Sequence, residues 1–179
     1  MITFFNYCIE EGEWSCQWKL SNVTPVHKKD DETSKKNYRP TSVSSVIPKV
    51  FGKPKFNQLY SVFTPFSDNM SGLLRGHFCC SAFLKLTDDW RQALDNKKDV
   101  PVVAVGLSKG FDSICHSLLL AKLKVYGVHD SAIRLIQSYL SGRFHRVKCN
   151  EKVSDWLPLR LGVPQGSLLG PLFLKYLCE

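Results

Sequence analysis

A chain of 179 residues with 44% hydrophobic and 22% charged residues has the composition of one globular domain with a real core, which excludes disorder throughout. The formal charge is +8, and residues 17–60 hold nine Lys/Arg against three acids, a local +6. Such a balance points to a polyanion partner, and it equally marks a solvated basic surface. No apolar run reaches the roughly 20 residues that span a bilayer. The N-terminus lacks the basic start of a signal peptide. Seven cysteines without a Cys-x-x-Cys pair read as reduced thiols. A cytoplasmic or nuclear protein with no membrane partner is expected. His77 with Cys79, and Cys115 with His116, lack the four-ligand spacing of a zinc site.

In chain order, the first 20 residues carry Phe4, Phe5, Tyr7, Ile9, Trp14 and Trp18, too many apolar groups for a tail, and are expected to pack on the body. A strand is predicted over 23–26. A flexible polar loop follows with Lys28, Lys29, Lys35 and Lys36 around Asp30, Asp31 and Glu32; its basic flanks suit phosphates, and they suit solubility as well. From 46 to 63 the apolar positions partly follow a helical spacing, yet Gly52 and Pro54 fall inside it. They cost about 1 and about 3 kcal/mol relative to alanine, so a break or kink is expected there.

A second helix over 82–95 places Phe83, Leu86, Trp90 and Ala93 on one stripe, expected as core. A turn at 96–99 leads to a strand over 100–107, apolar on both faces and so expected to be covered on both sides, with Pro101 tolerable at its start. Helices follow over 117–126, ended by Gly127, and over 131–141, with Asp130 as N-cap and Gly142 as stop. Alternation in Arg146-Val147-Lys148-Cys149, and again at Leu157, Leu159 and Leu161, predicts a hairpin turning near Asn150-Glu151. A glycine-bounded loop at 162–171 precedes a last apolar segment.

The stretch 101–116 reads as a strand feeding a helix, and the end of a rigid strand is a place to mount reactive groups or a metal ligand. Within it, Leu-Ser-Lys-Gly-Phe-Asp-Ser at 107–113 resembles the first palm motif of the reverse transcriptases of non-LTR retrotransposons, the long interspersed element type. Gly162-Val163-Pro164-Gln165-Gly166-Ser167-Leu168-Leu169-Gly170-Pro171 is similar to their second palm motif. Asn37-Tyr38-Arg39-Pro40, Trp18-Lys19 and Val23-Thr24-Pro25-Val26-His27-Lys28-Lys29 resemble the fingers, and Ser71-Gly72-Leu73-Leu74-Arg75-Gly76-His77 does so more weakly.

The resemblance implies an α+β fold: an N-terminal extension and fingers-like region over 1–99 and a partial palm of a right-hand polymerase over 100–179. It implies RNA-directed DNA polymerisation on an RNA template and a DNA primer, with deoxynucleotides and Mg2+. Arg39 and Arg75 would approach the template and triphosphate, with Ser108 and Lys109 facing the triphosphate. Phe111 would lie under the sugar, and Gln165 and Gly166 would touch the nascent base pair. Lys28, Lys29, Lys35 and Lys36 would hold nucleic acid. Plainer readings stand beside these: Arg75 as a surface arginine, Phe111 as a core aromatic, Gly162 and Gly166 as turn glycines.

One departure bears on the chemistry. The family's catalytic aspartate falls at position 106, which here is Gly106, and no Asp-Asp pair lies between Gly166 and Glu179. The resemblance therefore implies a copy truncated before the Asp-Asp hairpin, with a long apolar edge at 100–107 left open to self-association. Two-metal phosphoryl transfer clamps both oxygens between ions about 4 Å apart, and carboxylates must hold those ions. Asp112 is six residues further on, up to roughly 20 Å along an extended chain, and cannot simply substitute. Asp30-Asp31 and Asp88-Asp89 read as solvated surface. The expectation is an inactive copy that binds no Mg2+ productively; the alternatives are a non-catalytic module holding RNA or an RNA–DNA duplex, and a remnant with no role.

Overall fold

The computed structural model describes residues 1–62, 78–106 and 109–178. They fall into two units, residues 1–62 with 109–178, and residues 63–108 with 179. In chain order the elements are α1 (Ile2–Glu10), β1 (Leu20–His27), β2 (Tyr38–Val43), α2 (Val46–Val62), α3 (Cys79–Asp95), α4 (His116–Val125), α5 (Asp130–Leu140), β3 (Arg143–Cys149), β4 (Lys152–Val153), β5 (Leu157–Leu159) and α6 (Leu169–Cys178). Among the described residues, α3 is the one helix of the second unit.

The sheet of the first unit runs β2-β1-β3-β4, with β5 also on β3. Strand β1 pairs antiparallel with β2, from Asn22 opposite Val43 to His27 opposite Tyr38, and parallel with β3, from Leu20 opposite Phe144 to Val23 opposite Val147. Pro25 and Pro40 face each other beyond the last β1–β3 pair, on a stretch where β2 is the edge. Their missing N–H groups therefore interrupt little of the ladder. The hairpin expected near Asn150-Glu151 is present, with Asn150 at φ +54° in the turn and β4 and β5 returning along β3.

On one face of the sheet Ser21 and Arg143 are buried, while Val147 further along is exposed. The core holds Leu119 and Leu123 from α4, Ile136 and Leu140 from α5, and Leu172 and Phe173 from α6. Full burial of such side chains contributes about 1.5–3 kcal/mol each. The N-terminal tryptophans do pack on the body, whereas Phe4, Tyr7 and Ile9 are exposed. Trp14 lies with its ring centroid 4.9 Å from those of both Phe51 and Tyr139, while Trp18 stands 5.4 Å from Phe51 and 6.0 Å from Phe5. All but the tilted Trp18–Phe51 pair meet edge to face, an arrangement that adds about 0.5–1.5 kcal/mol beyond the area buried.

Three local expectations need correction. Helix α2 continues through Gly52 and Pro54 instead of breaking. Phe51 and Leu59, on either side, are buried, and the Trp14 ring packs against Gly52, so tertiary anchoring outweighs a poor local propensity. Helix α5 is capped by His129, whose Nδ1 accepts the Ser131 amide at 3.3 Å; Asp130 is its first residue. Gly127 and Gly142, with φ +81° and +63°, do end α4 and α5 as expected.

The third correction concerns the second unit. Residues 100–106 form no strand, and Val102, Val103 and Val105 are exposed. The stripe on α3 is not core either: Phe83 is 62% exposed and Leu86 48%. Locally α3 is well ended: Ser81 Oγ accepts the Phe78 amide at 2.8 Å, and Lys97, at φ +56°, and Lys98 donate back to Leu94 and Ala93.

Candidate nucleotide site and nucleic-acid surface

Two of the matched motifs meet in the first unit. The turn 109–115 and the loop 162–170 are joined by the Gly162 amide on the Ile114 carbonyl (2.8 Å) and the Val163 amide on the Phe111 carbonyl (2.9 Å). His116 Nε2 donates to the Gly162 carbonyl at 2.7 Å. A Cβ at Gly162 would stand 2.6 Å from the Phe111 carbonyl oxygen and 2.7 Å from Asp112 Cα, and its φ is +78°. Only glycine lets the two backbones approach so closely.

Gln165 is held at both ends. Its carbonyl accepts the Ser42 amide of β2 at 2.8 Å, and its side chain donates to Asp112 Oδ1 at 3.0 Å. Gly166, at φ +102°, has room for a Cβ only 3.2 Å from the Ser42 carbonyl oxygen. The sequence-predicted Gln165 and Gly166 therefore stand beside the turn that carries Lys109 and Phe111. Phe111 is half-buried, and Lys109 is exposed with φ +58°, its carbonyl accepting the Asp112 and Ser113 amides. Just past this turn, Cys115 precedes α4; the Ser117 hydroxyl first, then the Leu118 amide, draw its thiol below the usual range.

Arg75 and Ser108 lie outside the described residues. Gly106 lies in the second unit, where a Cβ would meet nothing within 4 Å. Among the described residues no three His, Cys, Asp or Glu side chains group as a metal site. Asp112, the nearest downstream carboxylate, accepts one hydrogen bond on Oδ1 from Gln165. Among the described residues, the donors present do not fit the divalent metal on which the reverse transcriptase family generally depends.

The basic loop between β1 and β2 is tied by polar bonds. Asp31 accepts the Thr33 amide (2.9 Å) and hydroxyl (2.7 Å), Asn37 Nδ2 donates to the Asp31 carbonyl, and the Tyr38 hydroxyl donates to the Glu32 carbonyl. The Thr33 amide, then its hydroxyl, hold the Asp31 carboxyl below the usual carboxylate range. Lys28, Lys29, Lys35 and Lys36 project from this turn, all exposed.

The pairing register adds residues that sequence reasoning missed. Arg39 lies opposite Val26, Asn22 opposite Arg146, and Leu20 opposite Phe144, so these share the open face of the sheet. Arg146 donates from Nε to Asn22 Oδ1 at 2.8 Å and lies 4.6 Å over the Trp156 ring. Phe144 and Trp156 are both partly exposed. None of the five strands contains an Asp or Glu, while they carry Arg39, Arg143, Arg146, Lys148 and Lys152. The signal was there in Arg146-x-Lys148 at period two, but only the register joins it to Arg39.

With the fold and these contacts described, comparison with known proteins is direct. Residues 26–178 match the family described as reverse transcriptase (RNA-dependent DNA polymerase). The chain therefore belongs to the reverse transcriptases, and within them to those of non-LTR retrotransposons. It is similar to the probable RNA-directed DNA polymerase from transposon BS of Drosophila melanogaster, 32% identical over 87% of this chain and 18% of that protein. The same organism's probable RNA-directed DNA polymerase from transposon X-element is 29% identical over 94% of this chain and 19% of its own length. Its RNA-directed DNA polymerase from mobile element jockey is 26% identical over 96% and 19%. The chain thus spans under a fifth of the length of these relatives. Among the described residues, no helix is long and apolar enough to cross a membrane.

Proposed function

We propose that this chain is a fingers and partial palm segment of a retrotransposon reverse transcriptase, about 1–99 and 100–179, that does not itself polymerise DNA. Gly106 carries this reading. It offers no ligand where the family resemblance calls for an aspartate. A loss of about 4 kcal/mol in transition-state stabilisation slows a reaction about a thousandfold. Primer extension on an RNA template with added Mg2+ is expected to give no product; Mg2+-dependent extension by the purified chain would overturn the proposal.

A second reading, binding of RNA or an RNA–DNA duplex without catalysis, is supported by the acid-free sheet. Arg39, Arg146 and Lys148 supply charge on its open face, Phe144 and Trp156 supply rings on which bases stack, and the lysines of the 28–36 turn extend the cationic surface. Stacking on an exposed aromatic is worth about 1–3 kcal/mol per base. Anisotropy with a labelled RNA template and DNA primer is expected to show binding that falls steeply between about 50 mM and about 200 mM salt. Neutralising Lys28, Lys29, Lys35 and Lys36 together should flatten that salt dependence, whereas Trp156→Ala should weaken binding at every salt concentration. No binding by a folded sample would leave a remnant without a role.

A further inference from the structure

Residues 100–106 form an apolar stretch that the rest of the second unit does not cover. Four of the seven are valines and none is charged. Val102, Val103 and Val105 are 61%, 84% and 80% exposed. The stretch forms no strand, and among the described residues its amides and carbonyls make no backbone hydrogen bond. A β-branched, uncharged segment with open donors and acceptors is a template for another strand.

The same chemistry selects the occupant. Nucleic acid is a poor one, because 100–106 offers no cation to phosphate. An identical neutral segment pairs without repulsion, provided the charged runs beside it keep apart. In a parallel, in-register pair Lys97-Lys98 would face Lys97-Lys98, whereas an antiparallel pair sends the two runs to opposite ends. Among two-fold antiparallel registers, the one with Ala104 opposite Ala104 pairs all of 102–106. It sets Val103 against Val105 twice and leaves Pro101, which has no N–H to give, outside the pairing.

We propose that residues 102–106 pair antiparallel with the same residues of a second copy of this chain, about a two-fold axis at Ala104, to form a closed dimer. The interface is isologous, each copy giving and receiving the same contacts. Continued stacking is blocked: strands repeat at about 4.8 Å, and the helix joined to one end of each segment is already about 10 Å across. Two short strands alone are marginal in water, and packing against a helix is what lets such a ribbon hold. The exposed stripe of α3, with Phe83 and Leu86, is joined to the segment by residues 96–99 and supplies that cover in each copy. The interface is small, so the dilute chain is a monomer and the dimer gathers at about 10–100 µM.

The test is sedimentation of the 1–179 chain from about 1 to about 300 µM, where a reversible monomer–dimer equilibrium is expected. Salt should strengthen it, because both copies carry +8 and screening relieves their repulsion, whereas nucleic-acid binding weakens with salt. Ala104→Lys sets two ammonium groups directly opposite each other and should weaken the dimer at least about tenfold. Val125→Lys, at an 86% exposed valine of α4, should leave it unchanged. In Ala104→Cys, oxidation should give a 104–104 disulfide identifiable by mass spectrometry, since directly opposed strand residues lie at a spacing that suits the bond. A monomer throughout, an open series of larger species, a dimer that Ala104→Lys leaves intact, or a dimeric sample without the 104–104 link would each overturn the proposal.

Discussion

Helices α5 and α3 share an apolar period of helical spacing and differ in what that period meets. On α5, Leu135, Ile136, Tyr139 and Leu140 are buried against the rest of the first unit. On α3 the stripe of Phe83, Leu86, Trp90 and Ala93 contains no buried residue. Periodicity fixes that a segment is a helix and which side is apolar; whether that side is covered depends on other segments folding next to it. For α5 these are α4, α6 and the buried face of the sheet. For α3, the neighbouring stretch 96–106 of its own unit forms no strand.

The sharpest way to break this comparison is to cut back one side chain from each stripe. Leu140→Ala, at a position 1% exposed, should cost about 2–5 kcal/mol. Phe83→Ala, despite removing more carbon, should cost no more than about 0.5 kcal/mol. Urea unfolding measures both. Equal losses would mean that α3 is covered in solution and that the contrast between the helices is false.

A pair of glycines extends the contrast to the polymerase motifs. Gly162→Ala combines a left-handed backbone with a Cβ driven into the Phe111 and Asp112 backbone, and should cost about 2–4 kcal/mol. Gly106→Ala meets open space and should change the stability of the chain by less than about 0.5 kcal/mol. Unfolding of the two variants side by side tests whether the 162–170 loop is a rigid part of the fold. A tolerated Gly162→Ala would show that the loop can lift from the 109–115 turn.

Much of this was legible in the chain. The 162–171 match located a loop whose glycines prove to be demanded by contact with Phe111, Asp112 and Ser42. The aromatic N-terminus announced a packed segment, and Gly127, Gly142 and Asn150 marked ends and turns that carry positive φ. What could not be read were properties set by distant partners. Arg146 became a neighbour of Asn22 only through a parallel pairing across 124 residues. Arg143 looked like one strand cation among several, and its burial beside Trp18 and Tyr139 follows from the same pairing. The break expected in α2 rested on propensity alone, which buried Phe51 and Leu59 override.

That override has a smaller, measurable remainder. Gly52 sits in a helix interior, and a Cβ there would reach the Trp14 ring at 3.7 Å, an ordinary contact. Gly52→Ala should therefore stabilise the first unit by up to about 1 kcal/mol, read as a higher urea midpoint with an unchanged slope. A loss instead of a gain would mean that Trp14 packs too tightly for even one methyl group, and that the glycine was selected by the core.

The 28–37 turn separates exposure from lack of order, a distinction that α3 and α5 alone leave blurred. Its lysines are as exposed as the α3 stripe, yet its backbone is pinned through Asp31, which accepts two bonds from Thr33. Because these bonds hold the Asp31 carboxyl below its ordinary range, the folded turn binds a proton less readily than the unfolded chain does. The stabilisation is thus present in full above the usual carboxylate pKa and is lost as pH falls through the lower folded value. Protection of the Thr33 amide, its exchange relative to the intrinsic rate at the same pH, should hold down to that point, fall below it, and be absent at every pH in Asp31→Ala. Exchange that is equally fast in both proteins would show that hydrogen bonds at a fully exposed site do not order it, and that burial alone separates the well-held parts of this molecule from the loose ones.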